Sequence, residues 1–169
     1  KKKDGNLFLK EAFDKGASLA VVNRINKSVK RNKQIKVENS LDFLTKTSKI
    51  VRANSNGKII AITGSCGKTS LKELLVKTLV KFGKVTFSPK SFNNKYGVPL
   101  SLFNLNPNHE YGIFEVGMDK KGEIDQLSKI IKPDIGVITN ISYAHAKNFK
   151  NLKQIALAKS EIINNINKD

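Results

Sequence analysis

The residues best suited to chemistry form one short run in which glycines, hydroxyl groups and a lysine occur together. Glycine lets the backbone bend closely around a phosphate, so that N–H groups and the start of a following helix face the anion. Lys68 would add a positive charge at the terminal phosphates, and the Thr69 hydroxyl would bind Mg²⁺. The run lacks the first glycine of the common G-x-x-x-x-G-K-[ST] loop, because Ile62 occupies that position. The predicted nucleotide-binding residues are Thr63, Gly64, Ser65, Cys66, Gly67, Lys68, Thr69 and Ser70.

The residues on either side of this run predict the elements that a phosphate-binding loop requires. Residues 58–62 are short, mostly apolar and β-branched, which is typical of a buried strand. The residues after the run have the period of an amphipathic helix that ends at Gly83. A glycine turn that happens to contain a lysine is the simpler alternative, and the well-placed helix argues against it. We expect Leu71, Leu74, Leu75, Thr78, Leu79 and Phe82 to face inward, and Lys72, Glu73, Lys77 and Lys81 to point away.

Two charged side chains elsewhere in the chain stand at positions that invite a functional interpretation. Glu115 lies near the end of a predicted strand over 111–116, and ligands gather at that end of open parallel sheets. A carboxylate there would reach the Mg²⁺ of a bound nucleotide, with an ordinary solvated glutamate as the alternative. Lys159 falls inside the apolar stripe of the last predicted helix, where the pattern by itself favours an ammonium that extends to solvent.

The order of elements predicts an α/β fold, in which a mostly parallel sheet of the phosphate-loop type is flanked by helices. The strand at 58–62, its helix and a short strand at 85–87 would form a strand–helix–strand unit. The remaining predictions are a loop over 88–99, the strand over 111–116, a helix over 122–131, a strand over 135–139, a loop over 140–150 that holds His145, and a helix from Asn151.

The turn residues 54–57 are the best candidate for a domain boundary. Residues 1–56 have the pattern of the end of one α/β domain, and residues 57–169 begin another. The chain has no initial methionine and stops directly after a helical pattern, so we expect a fragment of a longer protein. The first part predicts a helix and strand within 6–24, a loop over 28–36, a short strand from Val37, and a helix from Leu41 capped by Ser40.

The composition limits the classes of protein that need to be considered. A single cysteine excludes an intrachain disulfide framework and suits a reducing, cytoplasmic compartment. No apolar run approaches the length of a membrane span. The formal net charge of +17 comes mostly from scattered lysines, whereas nucleic-acid sites favour arginine with interleaved aromatic residues. We therefore expect a monomer without a nucleic-acid or membrane partner, whose solvated basic surface attracts anionic substrates.

Segments spread along most of the chain share one further pattern. They are 62–70 (ITGSCGKTS), 92–100 (FNNKYGVPL), 114–118 (FEVGM), 122–124 (GEI), 132–141 (KPDIGVITNI), 144–145 (AH) and 158–162 (AKSEI). In order and approximate spacing they resemble the Mur ligases, the ATP-dependent amide-forming enzymes of peptidoglycan precursor synthesis. The Asn-Asn-x-x-Gly-Val-Pro segment points to the branch of that family which adds D-alanyl-D-alanine.

The resemblance implies a particular piece of a Mur ligase. Residues 57–169 would be the N-terminal part of the central ATPase domain, and residues 1–56 the C-terminal part of the UDP-substrate-binding domain. The family's C-terminal domain, with its adenine contacts and its site for the amine substrate, would be absent. A fragment of this kind is expected to have no ligase turnover by itself.

The resemblance also implies roles for individual residues. Lys68 would hold ATP, while Thr69 and Glu115 would bind one Mg²⁺ and His145 a second. Lys159 matches the family's carbamylated lysine, whose anionic carbamate suits a metal site better than a buried ammonium. Catalytic roles therefore fall on Lys68, His145 and Lys159, and substrate or phosphate contacts fall on Asn93 and Asn94.

The implied reaction joins D-alanyl-D-alanine to UDP-N-acetylmuramoyl-tripeptide through an acyl phosphate, without a protein nucleophile. Two alternatives stay open: a sibling such as the diaminopimelate- or lysine-adding ligase or folylpolyglutamate synthase, and a basic phosphate-loop module that binds nucleic acid. Lys147 stands where the family pattern leads us to expect a glutamate, so that position has no assigned role. Cys66 is not expected to act as a nucleophile, and His109 is expected at the surface.

Overall fold

The computed structural model of the chain describes residues 4–143 and 148–167. The chain divides into two compact units, Lys1–Leu44 and Thr45–Asp169. The division falls within a helix, Ser40–Ala53 (α2), and therefore before the turn that was expected to separate two domains. The assignment of the two parts to domains of a larger enzyme stays a prediction.

The first unit contains a two-stranded parallel sheet. Its strands are Ala20–Val22 (β1) and Gln34–Lys36 (β2), which pair with Val21 opposite Ile35. The predicted loop over 28–36 is therefore wrong for its last three residues, which form β2. The strand that was expected to begin at Val37 ends at Lys36 instead. The other elements of this unit are the 3₁₀ turn Gly5–Phe8, the helix Leu9–Asp14 (α1) and the 3₁₀ turn Arg31–Lys33.

A buried glutamine explains why β2 begins where it does. The Gln34 side chain is 3% exposed, and its Nε2 donates to Asn26 O at 2.9 Å and to Val29 O at 2.8 Å. Its Oε1 accepts from Asn26 N at 2.9 Å. The polar loop before β2 is thus held by an internal amide group, which hydrophobic periodicity cannot reveal.

The N-terminus of α2 is capped one residue earlier than predicted. Asn39 Oδ1 accepts from Leu41 N at 2.9 Å and from Asp42 N at 3.2 Å. Asparagine and serine are both good N-caps, so the sequence Asn39-Ser40 offered two adjacent candidates and the structure uses the first.

The second unit is built on a four-stranded, wholly parallel sheet with the order β4-β5-β3-β6. This confirms the predicted α/β class. Within the part of the chain that the structure describes, no helix has both the length and the apolar character needed to cross a membrane. The strands are Lys58–Thr63 (β3), Val85–Phe87 (β4), Tyr111–Glu115 (β5) and Ile135–Ile138 (β6); the helices are Lys68–Leu79 (α3), Gly97–Leu102 (α4), Glu123–Ile131 (α5) and Leu152–Ser160 (α6), followed by the 3₁₀ turn Glu161–Asn165.

Helices cover both faces of this sheet, because alternate residues of the central strand belong to two separate cores. Ile59 and Ala61 pack with residues of α4 and α5, including Leu102 and Ile124. Ile60 and Ile62 form the other core, against which Leu71, Leu75, Val76 and Leu79 of α3 pack. A strand buried on both faces is continuously apolar, which is why β3 was recognisable from its sequence.

The buried face of α3 differs from the predicted one. Leu74 and Phe82 were expected to face inward, but they are 61% and 70% exposed. Lys72 was expected to point away, but it is completely buried. The helix is rotated so that Leu71, Lys72, Leu75, Val76 and Leu79 turn toward the sheet; position 72 lies on the same stripe as 75, 76 and 79.

A buried arginine joins the end of α2 to the end of α5. Arg52 Nε donates to Ile131 O at 2.7 Å, Nη2 to Lys132 O at 2.8 Å, and Nη1 to Ser55 O at 3.1 Å. Its Nη2 also lies 3.6 Å from Asp134 Oδ2. The last carbonyl groups of a helix have no intrahelical partner, so this guanidinium satisfies the C-terminus of α5.

Replacing Arg52 with methionine should therefore lower the free energy of unfolding by about 3 kcal/mol, since three carbonyl groups lose a donor and Asp134 loses the guanidinium beside it. Urea denaturation followed by circular dichroism measures the change. The matched control is Lys49→Met, because Lys49 is exposed on the same helix and should change stability by less than about 0.5 kcal/mol. An equal effect of both variants would contradict the capping role of Arg52.

Candidate nucleotide-binding site

The predicted phosphate-binding loop lies between the end of β3 at Thr63 and the start of α3 at Lys68. Gly64 and Gly67 have φ angles of +148° and +79°, a region that side chains disfavour. A Cβ on Gly64 would lie 1.9 Å from Thr139 Oγ1, so only glycine fits where the loop passes the end of β6. The strand, loop and helix are thus arranged as predicted, and the glycines meet a conformational and a steric need.

Three residues after β6 fix the loop from one side, and sequence analysis gave none of them a role. Thr139 Oγ1 donates to Cys66 O at 2.6 Å, and Asn140 Oδ1 accepts from Cys66 N at 3.0 Å. Ser142 N donates to Ser65 Oγ, which donates to Ser142 O, both at 2.9 Å. The only signal was a run of short polar residues directly after a buried strand, and such runs are common in loops.

Lys68, Thr69 and Glu115 meet at the edge of the sheet beside the loop. Lys68 Nζ donates to Gly64 O at 2.8 Å, and Thr69 Oγ1 donates to Glu115 Oε2 at 3.2 Å. Parallel pairing sets this meeting, because β3 and β5 lie side by side with Ile62 opposite Glu115. A cavity of about 470 Å³ opens here, lined by Cys66, Gly67, Lys68, Thr69, Ser70, Ser91, Asn93 and Glu115.

The donors at this edge suit a magnesium ion. A hydroxyl and a carboxylate are hard oxygen ligands, and Mg²⁺ in nucleotide sites is held by one or two such groups together with phosphates and water. Among residues 4–143 and 148–167, no cluster of three or more His, Cys, Asp or Glu side chains forms a self-sufficient metal site. One hydroxyl and one carboxylate are the share of ligands that a protein usually gives to Mg²⁺ in a nucleotide site, so the arrangement fits a cation that arrives with a nucleotide.

Lys72 is a buried neighbour of Glu115 that sequence analysis missed. Its ammonium lies 3.0 Å from Glu115 Oε1, and both side chains are almost completely buried. The same ammonium donates to Ser88 O at 3.0 Å and to Lys90 O at 2.7 Å. A helical lysine next to acidic Glu73 is usually solvated, so its sequence gave no reason to place it inside.

Lys159 is buried, which contradicts the pattern-based expectation that its ammonium extends to solvent. The side chain is only 4% exposed and lines a second cavity, of about 550 Å³, together with Gly64, Ser65 and Lys68. Burial, and after it the positive charge of Lys68, lowers the pKa of Lys159 from 10.5 to about 8. The structure thus brings Lys159 to the phosphate-loop lysine.

The two asparagines of the 88–99 segment lie at these cavities in different ways. Asn93 lines both, and its backbone oxygen accepts from Gly117 N at 2.8 Å. Asn94 lines the larger cavity, but its Oδ1 accepts from Tyr96 N and Gly97 N, each at 3.0 Å. Asn94 therefore organises the start of α4, and contact of either asparagine with a substrate stays a prediction.

Two positions singled out in the sequence fall outside the described residues, whereas the location of His109 is described. His145 and Lys147 lie within 144–147, where the structure describes nothing. His109 lies in the turn before β5, where its Nδ1 accepts from Asn106 N at 3.0 Å. His109 was expected at the surface, and its side chain is partly exposed in this turn.

The fold and the site are those of a class of protein domain, the nucleotide-binding α/β domains of the phosphate-loop type. An acidic residue on the strand next to the loop is part of this arrangement. The profile of the Mur ligase middle domain matches residues 62–169. The chain belongs to the Mur ligase family, which confirms the resemblance found in its sequence.

Two similar relatives have the same name. The UDP-N-acetylmuramoyl-tripeptide–D-alanyl-D-alanine ligase of Rickettsia prowazekii is 42% identical over 168 residues, covering 99% of this chain and 37% of that protein. The ligase of the same name from Bacillus subtilis is 34% identical over 167 residues, covering 98% of this chain and 36% of that protein. The chain thus spans little more than a third of the length of these curated relatives.

Solved structures give the same result. MurF from Acinetobacter baumannii superimposes with a TM-score of 0.87 at 33% identity, covering 99% of this chain and 37% of that one. The MurF ligase from Thermotoga maritima, solved in complex with ADP, gives a TM-score of 0.83 at 33% identity, covering all of this chain and 39% of that one. The prediction of the D-alanyl-D-alanine-adding branch therefore agrees with the relatives.

The single cysteine offers a direct test of the loop. Cys66 is exposed and lines the smaller cavity, so a bound nucleotide should shield its thiol from alkylation. At ten times the dissociation constant of Mg-ATP, the labelling rate with iodoacetamide should fall about tenfold. Mass spectrometry follows the modification, and Cys66→Ser is the blank. An unchanged rate with saturating Mg-ATP would contradict the assignment of the loop.

Proposed function

We propose that the protein containing this chain is an ATP-dependent ligase that joins D-alanyl-D-alanine to UDP-N-acetylmuramoyl-tripeptide. The observation that carries the proposal is the 3.2 Å contact between the Thr69 hydroxyl and the Glu115 carboxylate, beside a loop that ends in Lys68. Relatives with the name of this ligase match nearly the whole chain, which supports the choice of substrates. Because the chain spans 37% of such a relative, the activity is assigned to the whole protein.

ATP would bind at the smaller cavity. The first N–H groups of α3 have no partner within the helix, so they would donate to phosphate oxygens, and the Lys68 ammonium would neutralise part of their charge. Thr69 and Glu115 would hold Mg²⁺, which when bound offsets the negative charge of the phosphates. Lys68 also lines the larger cavity. We therefore expect the acceptor substrate to bind in that cavity, next to the terminal phosphate.

The reaction needs positioning more than it needs a reactive protein group. The carboxylate of the tripeptide attacks the γ-phosphorus, the bond to the ADP oxygen breaks, and an acyl phosphate forms. The amine of D-alanyl-D-alanine then attacks the acyl carbon, phosphate leaves, and the amine loses a proton. Lys68 and the loop amides would hold the phosphoryl group in line and offset charge at its oxygens, which is the main source of catalysis in phosphoryl transfer.

Lys159 would contribute as a carbamate. Its buried amine lines the cavity shared with Lys68, and addition of CO₂ would turn an unfavourable pair of cations into an attractive pair. With His145, the carbamate would hold a second Mg²⁺, as the family resemblance implies. Asn93 and Asn94 would contact the substrate or its phosphate at the same cavity.

The proposal extends to the location, the oligomeric state and the partners of the enzyme. We place the enzyme in the cytoplasm and expect it to act as a monomer on small molecules, without a nucleic-acid or membrane partner. The scattered lysines behind the net charge of +17 would then serve to attract anionic substrates.

The complete protein should release phosphate from ATP only when UDP-N-acetylmuramoyl-tripeptide is present, and should form the amide when D-alanyl-D-alanine is added. Lys68→Ala should lower kcat by about 10²- to 10³-fold, because a charge that stabilises the transition state is lost. A coupled phosphate assay with chromatographic product detection measures both, and exposed Lys77→Ala is the control.

Three outcomes would change this proposal. A clear preference for another nucleotide-linked peptide or for folate in a substrate panel would move the protein to a sibling ligase. Steeply salt-dependent binding of DNA or RNA, without ligase turnover, would favour a nucleic-acid module. Amide formation by the 169-residue chain alone would refute the expectation that a further domain is needed.

Mass spectrometry should find one added CO₂ on Lys159 when bicarbonate is present. CO₂ reacts with the neutral amine, and the lowered pKa of about 8 means that the neutral fraction becomes the majority above that pH. The modification should therefore increase as the pH rises through 8, and it should be absent at exposed Lys153 of the same helix. An unmodified Lys159 in an active enzyme would refute the carbamate.

A further inference from the structure

Lys72 occupies an unusual place beside the candidate metal ligand. It is among the largest completely buried side chains of the described residues, and its ammonium faces the carboxylate of Glu115 at 3.0 Å. Glu115 is also completely buried, so the pair lies in a region of low dielectric where neither charge is solvated. Glu73 Oε1 lies 3.4 Å from the same ammonium, and the Phe87 ring centre lies 5.9 Å away.

The carboxylate of Glu115 is divided between two partners. Oε1 faces Lys72, whereas Oε2 accepts from the Thr69 hydroxyl at 3.2 Å. The backbone N–H of Glu115 donates to Ser88 Oγ at 3.1 Å. Two hydrogen bonds and one ion pair thus hold the residue, and among the described residues Oε1 has the ion pair with Lys72 but no hydrogen bond. This arrangement fixes which oxygen points toward the cavity beside the phosphate loop.

Lys72 is itself held in place. An ammonium has three N–H donors, and two of its acceptors are the backbone oxygens of Ser88 and Lys90, at 3.0 and 2.7 Å. Lys90 has a φ angle of +49°, which is uncommon for a lysine and turns this part of the chain toward α3. Backbone oxygens of the segment after β4 thus hold the Lys72 ammonium in the position where it contacts Glu115.

We propose that Lys72 is a positioning residue for the metal site: it pairs with Glu115 Oε1 and so orients Oε2 toward Mg²⁺ beside Thr69. The inference rests on the proposed nucleotide-binding function. Groups that orient a metal ligand typically change metal affinity 10- to 100-fold when they are removed, and Lys72 has the geometry of such a group.

The test is a double-mutant cycle in the complete protein with Lys72→Met, Glu115→Gln and both substitutions together. The first readout is the Mg²⁺ concentration that gives half-maximal binding of a fluorescent ATP analogue. Lys72→Met should raise it about 10-fold or more in the wild-type background, and should have little further effect with Glu115→Gln. Lys77→Met, an exposed change on the same helix, is the control for loss of positive charge.

Equal effects of Lys72→Met in both backgrounds, or no effect in the wild-type background, would overturn the proposal. If the wild-type protein binds no Mg-nucleotide at all, the proposed function fails instead, and the two failures are distinguishable.

A second readout is the urea midpoint without metal or nucleotide, which detects a loss of folding. The double variant should have a higher midpoint than Lys72→Met, because it leaves no unpaired buried carboxylate. A double variant that is no more stable would show that Lys72 only supports the 88–90 segment, which also overturns the proposal.

Discussion

The parallel pairing of β3 with β5 and with β6 is the constraint on which the site depends. The pairing sets Ile62 beside Glu115 on one side and Thr63 beside Ile138 on the other. A shift of one residue would turn every side chain of β3 to the opposite core, and close packing in each core disfavours this shift. The phosphate loop, the acidic residue and the polar residues after β6 therefore meet at one edge, although they are distant in sequence.

Two buried lysines near this edge have opposite surroundings. Lys72 has a carboxylate and two backbone oxygens around its ammonium, so its charge is compensated within the protein. Lys159 is buried at a cavity that Lys68 also lines, and burial, followed by the positive charge of Lys68, lowers its pKa to about 8. The same residue type is thus a compensated cation in one position and a cation next to another cation in the other.

The sequence allowed prediction of the elements whose pattern is local. β3, β4 and α5 were found because a doubly buried strand, a short β-branched segment and a periodic helix each have a clear signature. Lys72 was missed because a helical face read from apolar residues excludes a lysine, although position 72 completes the stripe of 75, 76 and 79. The contacts of Thr139, Asn140 and Ser142 were missed because they depend on which strand lies beside β3, and strand order is not a local property. The buried Gln34 was missed for the same reason, since its partners become neighbours only when the loop before β2 folds.

Lys68 already has an acceptor within the protein, the backbone oxygen of Gly64 at 2.8 Å. An incoming ligand must therefore compete with a neutral carbonyl for this ammonium. A neutral ligand offers a bond of similar strength and gains little, whereas a phosphate offers a charge-assisted bond about twice as strong. Under the proposed function, the hydrogen bond between Lys68 and Gly64 would make the loop favour anions over uncharged molecules before any base or sugar is recognised.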